Sequence, residues 1–327
     1  MKCFYFTNMT KRLFLFFILV LAGTVLRAQK QMIPNPITGG YFADPTIVKD
    51  KGRFFIYATI DPWGDKELAV LETTDFIKFK RHHINWPTKQ ACTSPTALNE
   101  MVWAPSVVKG KDNKFYMYVA VGGEVWGGMS NTPLGPWKNL KSDNTPIVKS
   151  TDYPNVHNID PDCFIDTDGS VYLYWGSGYK WINGHCMAVK LKDDMVSFDG
   201  APKDITTPHF FEGAHMVKRN QTYYLMFSEG KAIDATYQVG YAKGAGPLGP
   251  FQEDEHRVIL NTSADSTVIG PGHHTTFVVN GQRYILYHRI FPQKESFVLR
   301  QLCLDSLNFD ADGNIKKVST KGVQKFN

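Results

Sequence analysis

Residues 44–59, DPTIVKDKGRFFIYAT, decide the fold because the same pattern returns four more times along the chain. Each copy has a small or acidic start, an apolar strand, a Gly, Asn or Asp turn and an aromatic strand. That order is typical of a β-hairpin. The other copies are residues 104–120, 160–176, 213–228 and 274–288, and successive copies begin 60, 56, 53 and 61 residues apart.

The remainder of each repeat carries a second, weaker strand pair, as in residues 67–79, 127–137, 186–198 and 239–251. Four strands in a unit of roughly 40–60 residues is the signature of a propeller blade. No long stretch after residue 28 has a helical period. We therefore predict an all-β fold, a five-bladed β-propeller with four-stranded antiparallel blades around a central channel. A two-sheet sandwich or jelly roll is the alternative, but such folds do not usually show five near-equal units.

The N-terminus has the features of a targeting segment. Lys11 and Arg12 precede an apolar run from Leu13 to Val25, and the small residue Ala28 follows. This pattern predicts a signal peptide over residues 1–28 and one catalytic domain over residues 29–327. It also predicts a secreted or periplasmic protein, free of the membrane after cleavage, with an uncleaved anchor as the alternative.

Net charge and cysteine content exclude several classes of function. Four basic residues and no acidic residue lie in the predicted signal peptide, so the net charge of +5 falls to +1 in the mature chain. A near-neutral protein gives no case for binding nucleic acid or anionic membranes. The remaining cysteines have no C-x-x-C spacing, so they give no case for a structural zinc site. We predict that these cysteines are mostly buried thiols: Cys92, Cys163, Cys186 and Cys303.

The repeat also predicts where the functional site lies. Inner strands line the channel of a propeller, so residues at one repeat position meet around the axis. At or next to the repeat start the blades carry Asp44, Trp103, Asp160, Glu212 and the pair 273–274, which is His-His. Carboxylates held together raise each other's pKa and mark acid–base chemistry. Glycoside hydrolysis needs one protonated acid and one carboxylate opposite it.

Five short motifs occur in order and at blade spacing: ADP at 43–45, WAP at 103–105, IDP at 159–161, EG followed by KR within 212–219, and GH at 272–273. Together they resemble glycoside hydrolase family 43 over nearly the whole mature chain. The resemblance implies a five-bladed propeller and hydrolysis with inversion at the anomeric carbon. An inverting pair of carboxyl groups is expected roughly 6.5–9.5 Å apart.

The resemblance also implies roles for six residues. They are Asp44 as general base, Glu212 as general acid, Asp160 as the residue that tunes and orients the acid, Trp103 and Arg300 as substrate-binding residues, and His273 as an axial residue that holds calcium through waters. No cofactor is required for the chemistry. Two departures leave substrate choice open: Ala214 stands where the family often has Pro, and His274 where Asn or Gly is common.

The predicted function is an inverting glycosidase that acts on an oligo- or polysaccharide as a monomer. The expected linkages are those of plant pentoses, α-L-arabinofuranosides or β-xylosides. An endo-α-1,5-L-arabinanase is the near alternative. A retaining fructosidase-type propeller would need Asn-Asp-Pro, Arg-Asp-Pro and Glu-Cys motifs, which are not the ones present. A non-catalytic sugar-binding propeller would be expected to lack one of the three carboxylates.

Overall fold

The repeats form antiparallel sheets in the computed structural model, which describes residues 31–97, 101–292 and 298–326. Blade 1 comprises β2 (Phe42–Asp50), β3 (Arg53–Ile60), β4 (Ala69–Thr73) and β5 (Lys80–His82), and blade 2 comprises β6 (Val102–Lys109), β7 (Phe115–Val121), β8 (Glu124–Ser130) and β9 (Lys138–Asn139). Blade 3 comprises β10 (Asp162–Ile165), β11 (Val171–Trp175), β12 (Met187–Leu191) and β13 (Lys203–Asp204), and blade 4 comprises β14 (Glu212–Arg219), β15 (Thr222–Glu229), β16 (Gln238–Gly244) and β17 (Phe251–Gln252). Blade 5 comprises β18 (Ile269–Val279), β19 (Gln282–Ile290) and β20 (Arg300–Ser306), and a separate two-stranded sheet joins β1 (Met32–Ile33) to β21 (Val323–Gln324).

The predicted five-bladed propeller is confirmed. The first strand of each blade is the inner one. Strands β2, β6, β10, β14 and β18 contact one another in that order, and β18 contacts β2, so the ring closes. Four blades have four strands, and blade 5 has three within the described residues.

The predicted signal peptide lies outside the described residues. No helix that is long and apolar enough to cross a membrane occurs in the described part of the chain.

Each pair of neighbouring blades buries its own hydrophobic cluster, because side chains alternate between the two faces of every strand. On β3, Phe55 and Tyr57 enter the cluster shared with blade 2, whereas Phe54 and Ile56 enter the cluster shared with blade 5. Equivalent clusters join blades 2 and 3, 3 and 4, and 4 and 5. Burial of one such side chain is worth about 1.5–3 kcal/mol. The four cysteines are free and buried, as predicted.

Side chains on the inner strands also join the blades by hydrogen bonds. At one position in each of blades 1 to 4, a side chain accepts the backbone N–H of the next blade along the ring. The bonds are Val107 N–H to Thr46 Oγ1 (3.2 Å), Cys163 N–H to Ser106 Oγ (3.0 Å), Met216 N–H to Asp162 Oδ2 (3.1 Å) and Thr276 N–H to His215 Nε2 (3.1 Å). These four bonds form an inter-blade belt. They fix the inner strands relative to one another and satisfy backbone donors that would otherwise be buried without partners.

Every inner strand begins with a backbone kink. The kinked residues have left-handed backbone angles: Asp44 (φ 51°), Ala104 (φ 45°), Asp160 (φ 57°), Gly213 (φ 63°) and His273 (φ 39°). In blades 1, 2, 4 and 5 the pairing register shifts at the same place, which identifies a β-bulge. A bulge turns a side chain away from the regular alternation of the strand. The five kinks, four of them at bulges, therefore present side chains at the same end of the channel.

Candidate active site

A cavity of about 260 Å³ opens at the end of the channel where the bulges lie. All six residues predicted to form the site line it: Asp44, Trp103, Asp160, Glu212, His273 and Arg300. Three blades direct the kinked residue itself toward the axis. Blades 2 and 4 have Ala104 and Gly213 at the kink and use the preceding residue, a tryptophan or a glutamate. Repeat position and strand bulge together account for this convergence.

Asp44 lies among cations and imidazoles. Its Oδ1 atom is 3.0 Å from Arg300 NH1, 3.3 Å from His273 Nδ1 and 3.3 Å from His288 Nδ1. Its backbone N–H donates to His288 Nδ1 at 3.2 Å. Burial raises the pKa of Asp44, but Arg300 and the two histidines outweigh burial and hold that pKa well below its usual range. Asp44 is therefore an ionised carboxylate, able to accept a proton.

Arg300 is fixed by Asp61, whose side chain is fully buried. The backbone N–H of Arg300 donates to Asp61 Oδ2 at 2.7 Å, and NH2 donates to Oδ1 at 2.7 Å. Nε contacts both oxygens, and NH1 reaches Asp44. The guanidinium also lies 5.3 Å from the centre of the Trp63 ring. Arg300 lines the cavity as predicted, with most of its donors engaged by the two carboxylates.

Asp160 and Glu212 have the opposite electrostatic character. Burial, followed by the carboxylates of Glu212 and Asp44, raises the pKa of Asp160 well above its usual value. Burial also raises the pKa of Glu212 to about 7, helped by Asp44 and opposed by hydrogen bonds from Tyr237 and Ser177. Because the cavity holds one ionised carboxylate and two carboxyls with raised pKa values, the Asp160–Glu212 pair retains a proton around neutral pH.

His273 contacts both aspartates through one nitrogen. Nδ1 is 3.3 Å from Asp44 Oδ1 and 3.8 Å from Asp160 Oδ2, and burial lowers the pKa of the ring to about 4. The described residues contain no group of three or more His, Cys, Asp or Glu side chains arranged to hold a metal ion. Calcium prefers six to eight oxygen ligands. The residues around His273 do not supply such a set directly, so they do not fit a directly coordinated calcium ion.

Aromatic side chains form the walls of the cavity. Trp63 and Trp181 have ring centres 6.4 Å apart, and Trp181 also lies 5.8 Å from Phe211. Trp103 Nε1 donates to the carbonyl of Trp63 at 2.8 Å, which orients both rings. Tyr179 completes this wall. Aromatic faces of this kind bind the apolar faces of sugar rings.

Trp63 and Trp181 belong to a group of four tryptophans that the sequence places after inner strands or in loops. The other two, Trp126 and Trp175, are fully buried and belong to the clusters between blades. Their position in the core agrees with the usual packing role of tryptophan rather than with a sugar platform.

Four residues of the site were missed by the sequence analysis: Asp61, Ser177, Tyr237 and His288. Ser177 donates to Glu212 Oε2 at 3.1 Å and Tyr237 donates to Oε1 at 2.7 Å. Asp61 immediately follows β3, and Ser177 lies two residues after β11. The sequence positions from which Asp61 and Ser177 could have been predicted are therefore those just after the second strand of a blade. These positions show no repeated residue type from blade to blade, so the repeat alone does not identify them.

Comparison with known proteins agrees with this geometry. The family model described as "Glycosyl hydrolases family 43" matches residues 33–315. Beta-D-galactofuranosidase xynD of Aspergillus niger is 30% identical, over 87% of this chain and 84% of that protein. An arabinoxylan arabinofuranohydrolase of Bacillus subtilis is 27% identical over 87% of this chain, which spans only 64% of that relative. A solved α-L-arabinofuranosidase of Clostridium thermocellum superposes with a TM-score of 0.67 at 26% identity, over 86% of this chain and 95% of that one. The chain therefore belongs to glycosyl hydrolases family 43, a family of inverting glycoside hydrolases.

Proposed function

We propose that Glu212 is the general acid and Asp44 the general base of an inverting furanosidase. One observation carries the assignment: two buried carboxyl groups line the same cavity, and their pKa values are displaced in opposite directions. Two carboxyl groups whose pKa values are displaced in opposite directions supply the acid and the base of a hydrolase. Asp44 is kept ionised by Arg300, whereas Glu212 keeps its proton up to about pH 7.

The reaction then follows the inverting scheme. Glu212 gives its proton to the glycosidic oxygen as the bond from that oxygen to the anomeric carbon breaks. A water molecule on the opposite face of the sugar attacks the anomeric carbon, and Asp44 takes a proton from that water. The products are a free sugar of inverted configuration and a leaving group that carries the proton of Glu212. Asp160, whose pKa is raised by burial and by the carboxylates of Glu212 and Asp44, is the residue that the family resemblance implies tunes and orients the acid.

We propose that the cavity accepts an α-L-arabinofuranosyl unit. Relatives named for furanosides support this substrate: the galactofuranosidase of A. niger and the arabinoxylan arabinofuranohydrolases of B. subtilis and Paenibacillus polymyxa. The A. niger relative also favours a second candidate, a β-D-galactofuranoside. That sugar has the same ring configuration and a longer exocyclic chain. Xylosidase and arabinanase relatives keep β-xylosides and arabinan in the panel of substrates to be tested.

The rim of the cavity supports a polymeric substrate. Among the residues that the structure describes, seven large apolar side chains are exposed, and five of them lie in or next to the cavity wall: Trp63, Met101, Tyr179, Ile182 and Ile233. Tyr179 pairs with Ile182, Ile233 follows the lining residue Ala232, and Met101 packs beside Gly64. A polysaccharide main chain that lies across this rim would place one side-branch sugar in the cavity. We therefore propose removal of single furanosyl branches rather than cleavage within a chain.

The test is hydrolysis of a panel of glycosides by the wild type and by Glu212→Gln. The panel contains the 4-nitrophenyl α-L-arabinofuranoside, β-D-galactofuranoside, β-D-xyloside and β-fructofuranoside, together with arabinosylated xylo-oligosaccharides and linear arabinan. We expect activity on the arabinofuranosyl substrates, an inverted first product by NMR, and a loss of about 10²–10⁴-fold on the oligosaccharides in Glu212→Gln. Wild-type turnover of the oligosaccharides by that variant would refute the acid assignment.

Export and calcium stay predictions. Residues 1–28 carry the signal-peptide pattern, so we propose secretion or a periplasmic location, which fractionation of the producing cells would test. The predicted monomer is tested by light scattering.

The prediction of a calcium ion held at His273 only through waters rests on the family resemblance. The described residues around His273 supply no direct ligand set that would add support to it.

A further inference from the structure

Both carboxyl oxygens of Glu212 are engaged by hydroxyl groups of buried residues, but only one of these two residues lines the cavity. Tyr237 donates to Oε1 at 2.7 Å, is fully buried and does not line the cavity. Ser177 donates to Oε2 at 3.1 Å and lies in the cavity wall. One oxygen of Glu212 is therefore directed into the protein, and the other faces the space that the substrate would occupy.

The buried hydroxyl is held in a fixed position. The Tyr237 ring stacks on His288 with centres 5.6 Å apart and planes within 8°. On another side it packs against Gly272, where an added Cβ would lie only 2.0 Å from the ring. Tyr237 therefore has no room to follow a moving carboxyl group, and Oε1 stays where the tyrosine holds it.

The second hydroxyl is held by its backbone. Ser177 N–H donates to the carbonyl of His157 at 3.0 Å, and His157 N–H donates back to the carbonyl of Ser177 at 3.1 Å. This isolated bridge places the serine side chain at the cavity wall beside Oε2. The hydroxyl can still rotate about its own bond, so it is able to donate to Oε2 when that atom is charged.

We propose that Tyr237 and Ser177 are positioning residues of the general acid, with Tyr237 anchoring Oε1 so that Oε2 carries the catalytic proton. This proposal rests on the proposed function, in which Glu212 is the acid. As the glycosidic bond breaks, the proton of Oε2 moves to the leaving oxygen and Glu212 becomes a carboxylate. The Ser177 hydroxyl then donates to Oε2 and stabilises that carboxylate.

The tests are Tyr237→Phe and Ser177→Ala, each followed by kcat/KM against pH. Each variant loses a hydrogen bond that favours the ionised acid, so we expect the alkaline limb of the profile to move to higher pH by about one unit. For Ser177→Ala we also expect kcat to fall about tenfold on arabinosylated xylo-oligosaccharides. On 2,4-dinitrophenyl α-L-arabinofuranoside, whose leaving group needs little acid assistance, the fall should be much smaller.

Two matched controls separate positioning from general damage. Tyr224→Phe removes a buried tyrosine hydroxyl in the same blade that donates to the carbonyl of Gly313. Ser106→Ala removes a serine hydroxyl that donates to the carboxylate of Asp162 and accepts the N–H of Cys163 in the inter-blade belt. Both controls should lower the melting temperature at least as much as the test variants do and leave the pH profile in place. Because Ser177 lies in the cavity wall, its variant tests the proposal even if Tyr237→Phe does not fold.

An unmoved alkaline limb in Ser177→Ala or in folded Tyr237→Phe overturns the proposal. The same shift in the controls also overturns it, because the effect would then be indirect. Failure of the proposed function gives a different result, which is full activity of Glu212→Gln on the oligosaccharides. An inactive Glu212→Gln combined with an unmoved limb refutes only the positioning roles.

Discussion

Replacement of Asp61 by Asn should both destabilise the propeller and cause the base, Asp44, to bind its proton at a higher pH. The Asp61 side chain is fully buried, and Arg300 makes four contacts with its two oxygens. An Asn side chain has nearly the same shape, but its NH₂ group would face the donors of the guanidinium. Removing one partner of a buried ion pair costs about 3–5 kcal/mol. We expect a loss of that size in the free energy of unfolding.

The same substitution should change the pH dependence of activity. Arg300 is the largest of the influences that lower the pKa of Asp44 against the effect of burial. If the guanidinium is no longer held by Asp61, it moves away from Asp44 and the pKa of that carboxyl rises. Asp44 would then bind a proton at a higher pH than before. The acid limb of kcat/KM should therefore move to higher pH.

Two measurements check this prediction: urea unfolding with linear extrapolation, and kcat/KM from about pH 2 to about pH 9 on the best substrate of the panel, so that the low-lying acid limb of the wild type falls within the range. Asp199→Asn is the matched control, since Asp199 forms a half-exposed pair with Lys190 at 3.4 Å. A surface pair contributes roughly 0–1 kcal/mol. A stability loss in Asp61→Asn no larger than in this control, with an unmoved acid limb, would refute the reasoning.

Three further predictions follow from the site. Because the pKa of Glu212 is raised to about 7, activity should fall above that pH, and the free energy of unfolding should fall as pH rises through the same value. Relative to the wild type, the free energy of unfolding of Glu212→Gln should therefore be higher by on the order of 3 kcal/mol at pH 8 and little changed at pH 5, as measured by urea unfolding. Gly213→Ala should cost about 1–3 kcal/mol, because Gly213 has φ 63° and an added Cβ would lie 3.3 Å from the His273 ring; an equally stable variant would contradict the strain argument. Dialysis against EDTA tests the calcium ion that the family resemblance implies at His273: a loss of kcat that calcium restores would support the water-held ion, and an unchanged kcat would argue against it.

The sequence was sufficient for the fold because the information that defines a blade is local. Alternating apolar residues and turn residues are read within about 16 residues, and the copies support one another. The same repeat identified Asp44, Asp160 and Glu212, since residues at one repeat position share one location in a closed ring. It did not show that the kink falls on Gly213 rather than on Glu212. Left-handed backbone angles are enriched at Asn, Asp and His as well as at Gly, but these residue types also occur in regular strands and turns and so do not locate the kink.

The residues around the carboxyl groups could not be predicted for a different reason. The contact of Tyr237 with Glu212 spans 25 residues, and the contact of His288 with the backbone of Asp44 spans 244. Such contacts depend on where loops and neighbouring strands lie after the blades have packed. Neither residue occupies the repeat position that the sequence analysis used. The chemistry was therefore predictable, and the way in which the protein tunes it was not.

The backbone kinks at the starts of the inner strands also separate the part of the site that carries the catalytic residues from the part that contacts the sugar. Each kink brings a side chain to the axis through the backbone of an inner strand, whereas Trp63 and Trp181 of the aromatic wall lie in loops that follow other strands. The same two loops carry Asp61 and Ser177, so a loop exchange that keeps these two residues would accept a new sugar without displacing the acid or the base. Blade 2 has only Ala104 at its kink. An aspartate, which tolerates left-handed angles well, could be installed there, so the scaffold offers protein engineers a ready position for a fourth axial carboxylate.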